Sequence, residues 1–185
     1  MLSPDRNVLL SGSTDDCVGE RNSMNEILMT RRRKIVRFTC HGVPTKPGTA
    51  GMLFTALGKE SINILHMFNT EHGSDDGDIS FSVAEGYYDK TSEVLNEMKD
   101  KIGIESITVQ HNLAILSFDL EETICETVVG TMTLALSALA KEHIDVKHIA
   151  ASRNRVFAVL SDEEADTASY TLSRVLKEDP IIHPI

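Results

Sequence analysis

The segment Gly42-Val43-Pro44-Thr45-Lys46-Pro47-Gly48-Thr49-Ala50-Gly51 carries the residue types best suited to bind something. Its prolines fix φ at the loop ends. Gly48 and Gly51 let a ligand approach main chain closely. A helix opening at Gly48 presents unpaired N–H groups and a partial positive charge. Such a loop can hold a small carboxylate. It is equally a rigid turn into a well-started helix with no ligand, and the loop alone leaves both readings open.

Other constellations carry less. His66, His148 and nearby His143 would form a metal site only if three or four donors converged, and they read as ordinary sheet histidines. Gly51…Gly58-Lys59-Glu60 has phosphate-loop spacing but sits inside a helix and lacks the following Ser or Thr. Gly48-Thr49-Ala50-Gly51 spells the G-x-x-G of KH modules, yet it joins a strand to a helix, whereas a KH loop joins two helices. No nucleophile–base set or catalytic carboxylate pair emerges, so no catalytic residue, cofactor or metal is expected.

Charge points the same way. Eighteen Lys plus Arg against twenty-eight Asp plus Glu give a formal charge of −10, which repels phosphate backbones and argues against nucleic acid as the main partner. No run approaches the ~18 apolar residues of a membrane span. Val8-Leu9-Leu10 is too short for a secretory segment. A cytoplasmic protein with no membrane partner is expected. Cys17, Cys40 and Cys125 are odd in number and never paired as C-x-x-C, so they read as buried or incidental thiols. Arg31-Arg32-Arg33-Lys34 reads as a solvated turn leading into a strand.

The elements that must position the loop are set by a repeat. Shifted by 82 residues, the chain aligns Gly48-Thr49 with Gly130-Thr131, Ala56-Leu57 with Ala138-Leu139, Lys59-Glu60 with Lys141-Glu142, Ile62 with Ile144 and His66 with His148. Those are eight identities in twenty ungapped positions, so the chain holds two copies of one module. In the first, a strand at 35–40 leads to a helix with Met52, Leu53, Ala56 and Leu57 at helical spacing. Strands follow at 62–70 and from Ile79 to Val83, where apolar and polar residues alternate; Val94, Leu95, Met98 and Ile102 mark a second helix, and 104–110 a fourth strand. The second copy runs through strand 113–118, helix 131–142, strands 144–151 and 155–160, and helix 163–176. Its fourth strand is missing, because Pro180 and Pro184 bracket only three residues. Ile27-Leu28-Met29 is an orphan apolar run that would complete it.

The expected fold class is therefore α+β: two ferredoxin-like βαββαβ modules, each an antiparallel four-stranded sheet with two helices on one face, interlocked through the early strand. The domains read as a disordered tail over 1–23, a strand for the second module within 24–34, a first module over 35–112, a second over 113–179 and a C-terminal tail over 180–185. Translation could start at Met1 or Met24.

Gly-Val-Pro-x-x-Pro-Gly before a helix, then Ile62-Asn63-Ile64, with Ile149-Ala150-Ala151-Ser152 closing the second copy, resembles the tandem ACT domains of the aspartate kinase regulatory region. The resemblance implies this fold, completion of the second module by a strand before the first, and amino-acid effectors seated between the Pro-Gly loop of one subunit and the second strand of another. It carries over to Thr45, Lys46, Pro47, Gly48, Thr49, Ala50 and Gly51 in the loop, to Asn69 and Thr70 on the strand, and to a second site at Gly130, Thr131 and Ser152. The pattern departs at Thr45 and Leu65, where the family has Asp, at Asn69-Thr70 in place of Gln-Asn, and at Ala151-Ser152-Arg153 in place of Thr-Ser-Glu. Glu121 and Glu122, in the second loop, read as a solvated face. No kinase domain is expected within the chain. The implied function is non-catalytic, amino-acid-binding allosteric regulation by a homodimer, in concert with a separate biosynthetic enzyme. The alternative is an interaction subunit that assembles with such an enzyme without binding a ligand.

Overall fold

The structure, a computed structural model, describes residues 28–73, 75–119, 131–151 and 155–178. Both tails, Cys17, Cys125, Glu121, Glu122, Gly130 and Ser152 fall outside these residues.

Strand β1 (Leu28–Pro44) leads to helix α1 (Thr49–Lys59), strands β2 (His66–Glu71) and β3 (Asp76–Ala84), and helix α2 (Tyr88–Ile102). Strand β4 (Ser106–Asp119), helix α3 (Thr131–Lys141), strands β5 (Val146–Ala151) and β6 (Arg155–Ser161), and helix α4 (Ala165–Glu178) complete it. The strands form one antiparallel six-stranded sheet in the order β2-β3-β1-β4-β6-β5.

That single sheet stands where two four-stranded sheets were expected. The difference lies in β1 and β4. The strands expected at 104–110 and 113–118 are one strand, which begins at Ser106, because Gln110-His111-Asn112 between them supplies no turn. Likewise β1 absorbs the basic run and Leu28-Met29. Residues 28–32 pair with 115–119, whereas Ile35 onward pairs with β3 on one side and the first half of β4 on the other. The register slips beside Ile35↔Leu113, and Lys34 (φ 55°) and Asn112 (φ 54°) adopt left-handed backbone there. Each left-handed residue reverses the side-chain alternation of its strand. Met29 before the kink in β1, and Val36, Phe38 and Cys40 after it, therefore all face helices.

Two cores follow. Val36, Phe38, Phe81 and Val83 pack beneath Leu53 and Leu57 of α1 and Leu95 of α2. Ala114, Leu116, Phe118 and Leu160 pack beneath Leu139 of α3 and Leu172 of α4. The opposite face carries a small cluster of Ile35, Leu113, Ile115 and Val159 with Leu65. There the sheet curls until its edges meet: Phe68 of β2 stacks on His148 of β5 at 4.0 Å.

The basic run is strand, not turn. Arg33 clamps Asp162 (Nη2–Oδ2 2.9 Å) and Asp166 (Nη1–Oδ2 3.1 Å), and Arg31 pairs with Asp166, tying β1 to the start of α4. Hydrogen bonds from Arg33 and the Lys34 N–H outweigh burial and hold the Asp162 carboxyl below its usual range. Cys40 is a buried free thiol, its pKa pushed up to about 12 by burial and then by the nearby Asp78 charge, which leaves it unreactive.

Phe81 is fully buried, stacked on Phe38 and edge-on to Phe54, each at 5.7 Å. Phe81→Ala is expected to lower unfolding stability by about 3–5 kcal/mol, measured by urea denaturation.

Candidate functional site

The loop leaving β1 is held by its own backbone. Thr45 N–H donates to Asp75 O (3.0 Å), Lys46 N–H to Pro44 O (2.9 Å) and Thr49 N–H to Lys46 O (3.1 Å). Gly48, at φ 94°, is the residue from which α1 departs, in left-handed backbone that glycine adopts without strain. Met52 N–H donates to Gly48 O at 2.8 Å. No side chain caps the helix. The Ala50 and Gly51 amides, between those bonds, take no backbone partner among the described residues. Two donors at the positive end of a helix are thus left for something else.

Beside them lies a cavity of about 210 Å³. Thr45, Lys46, Thr49 and Ala50 line it from the loop and helix start, and Asn69 and Thr70 from β2. Six of the expected loop and strand residues are brought together there. Pro47 does not line it, and Gly48 and Gly51 open instead on the groove between α1 and α2. Of the expected second site, Gly130 and Ser152 lie outside the described residues, and Thr131 is the first residue of α3.

The cavity has further walls that the loop motif does not signal: Met67, Glu71, Gly77, Asp78 and Ile79. The period of a strand predicts Met67, two residues from Asn69 and on the same face, while Gly77, Asp78 and Ile79 enter through the β2–β3 register, Glu71↔Gly77, Thr70↔Asp78 and Asn69↔Ile79. Gly77 is required there, because a Cβ would fall 2.4 Å from Thr70 O. Asp78 accepts from His41 Nδ1 (2.8 Å) and the Gly42 N–H (3.3 Å), and His41 Nε2 lies 2.9 Å from Thr108 Oγ1. Burial opposes ionisation of Asp78, but these donors, with the charge of His41 and His72, outweigh it and hold its carboxyl below the usual range. This network fixes the β1 end of the cavity.

No protein-family model matches the chain. Aspartokinase 2 of Bacillus subtilis is 30% identical over 151 residues, a match covering 80% of this chain and 36% of that protein. The regulatory subunit of Thermus thermophilus aspartate kinase, solved ligand-free, superposes with a TM-score of 0.68 at 17% identity, over 86% of this chain and 97% of that one. This chain resembles the regulatory region of aspartate kinase. Escherichia coli aspartokinase III, solved in complex with lysine and aspartate, has the same fold over 80% of this chain and 32% of its own (TM-score 0.59, 16% identity). The chain spans about a third of the length of the curated aspartokinases it matches (36% and 34%). The part that matches aspartate kinase is thus this α+β sheet fold.

Within this aspartate kinase-like fold the repeat-equivalent histidines meet across the curled sheet. The His66 and His148 rings lie 4.9 Å apart, with Phe68 and Phe157 packed against them. Among the described residues no three metal-ligating side chains converge. His66 Nδ1 and His148 Nε2 are buried without a hydrogen-bond partner. Burial first, then His148 and Arg37, push the His66 pKa down to about 4, and burial followed by Arg37 lowers that of His148. A depressed histidine pKa means that the unfolded chain binds more protons, so the contribution of His66 to stability is complete above about pH 6.5 and is lost as pH falls toward 4. Urea midpoints are expected to drop across that window, and His66→Phe to flatten the drop.

Proposed function

We propose that this chain is a non-catalytic regulatory protein that binds a small amino acid at the start of α1 and acts on an aspartate kinase-type biosynthetic enzyme. The observation that carries this reading is the unused Ala50 amide at a helix start, in the wall of a cavity of single-metabolite size. The amino acid's carboxylate sits on that amide, where the helix dipole favours it. Thr45, Lys46, Pro47, Gly48 and Thr49 shape the loop around it, and Asn69 and Thr70 supply side-chain hydrogen bonds from β2. The likeness to regulatory subunits of aspartate kinase, and the lysine and aspartate held by the E. coli enzyme, support an amino-acid ligand.

Residues 35–112 and 113–179 act in this reading as two ACT-like units that share β1 and β4, with 24–34 serving the second. Gly130, Thr131 and Ser152 form the equivalent loop site there. β2 is an edge strand with Met67 45% exposed next to the cavity. A second copy laid against that edge makes a homodimer and closes the site. The ligand then shifts the equilibrium between arrangements of the dimer by its difference in affinity for them, and the partner enzyme senses the result.

Thermal-shift titration with each standard amino acid tests this. One of them is expected to raise Tm saturably, in line with about 2.7 kcal/mol of stabilisation at a hundredfold excess over Kd. Asn69→Ala should weaken that ligand about tenfold, the worth of one hydrogen bond. Ala50→Pro removes one of the two free amides at a first-turn position that tolerates proline, and should abolish binding with the fold intact by circular dichroism. If no amino acid shifts Tm, the sensing reading fails and the interaction-subunit alternative takes its place.

A further inference from the structure

Three consecutive arginines in β1 do different work. Arg31 and Arg33 are consumed by Asp162 and Asp166 on the helix side of the sheet. Strand alternation turns Arg32 to the other face, where among the described residues it makes no ion pair. It borders a cleft of about 440 Å³ enclosed by β1, β4, β6 and the segment entering β2. Thr30↔Ser117↔Phe157 and Arg32↔Ile115↔Val159 are rows across the three strands, so these side chains share the cleft face.

The lining is one-sided in charge. Arg32, Arg155, Asn63 and Ser117 supply its polar wall, Leu65 and Ile115 its apolar floor, and among the described residues no Asp or Glu lines it. In a chain of formal charge −10, a cleft whose described lining holds Arg32 and no carboxylate runs against the overall charge. His66 lines it too, with the buried, unpartnered Nδ1 described above. Guanidinium groups favour carboxylate and phosphate oxygens through forked hydrogen bonds, and the apolar floor offers contact to the rest of such a molecule.

We propose that this cleft is a second binding site, separate from the α1 cavity, which takes a small organic anion bearing one carboxylate or phosphate group and an apolar portion, gripped by Arg32. The anionic group lies at Arg32 and Ser117, and the apolar portion on Leu65 and Ile115. The two sites differ in chemistry: the α1 cavity offers a backbone amide, the cleft guanidinium. The inference does not rest on amino-acid sensing, because its ligand needs no ammonium group.

The test is thermal-shift titration of the full chain with pyruvate and with inorganic phosphate, at constant ionic strength held by chloride, on wild type, Arg32→Gln and Asn69→Ala. A saturable rise in Tm with at least one probe is expected. Arg32→Gln should weaken it about tenfold, the scale of one charge-assisted hydrogen bond, and Asn69→Ala should leave it unchanged. A response to pyruvate alone assigns the site to carboxylates, and to phosphate alone to phosphates. No saturable shift with either probe overturns the proposal. So does a shift that Arg32→Gln leaves intact, or one that Asn69→Ala removes. Arg32 is exposed at a strand position, so Arg32→Gln should fold, and wild-type Tm without probe verifies it.

Discussion

The full-length pairing of β1 with β4 is the constraint on which the rest depends. Each strand is long enough to serve both halves of the chain, and each spends one left-handed residue, Lys34 or Asn112, to turn its apolar face from one helix pair to the other. Because the kinks lie side by side, the strands bend together and the ladder continues past them. The helices cover one face of the sheet, and the other curls on itself until Phe68 and His148, from opposite edges, are in contact. The curl buries Ile35, Leu113, Ile115 and Val159 on the inner face without a third layer.

That bend also distributes the sites. β1 ends at Val43 and Pro44 in the wall of the α1 cavity and begins with Thr30 and Arg32 in the wall of the concave cleft. One strand, anchored to α4 by Arg31 and Arg33 and to β3 by the His41–Asp78 bond, therefore borders both. Packed cores resist continuous deformation, so movement of either end of β1 is opposed by the helices and strands packed along it.

Much of this was legible in the residues. The helical spacing of Leu53 and Leu57, the alternation of Ile79, Phe81 and Val83, and the stripe of Ala165, Ala168 and Leu172 all mark faces that are buried. The orphan run at Leu28-Met29 pairs with the end of β4, against residues of the second copy, as its apolar character suggested. The Pro-Gly loop was visible because proline and glycine act locally. What stayed hidden depends on partners distant in sequence. Nothing local distinguishes Gln110-His111-Asn112 as a kink from a turn, since asparagine suits left-handed backbone in both. The division of Arg31, Arg32 and Arg33 between two faces requires knowing that they lie in a strand. Asp78 enters the cavity wall only through the register of β2 on β3.

Native-state hydrogen exchange along β1 and β4 tests the shared pair most directly. Amides of 28–32, 35–44, 106–110 and 113–119 that lie in the ladder should exchange through one cooperative opening, with matching free energies and a common response to denaturant. If residues 28–32 and 115–119 instead open far more readily than 35–44 and 106–110, each with its own denaturant dependence, the halves are independent and a sheet built on two common strands is contradicted.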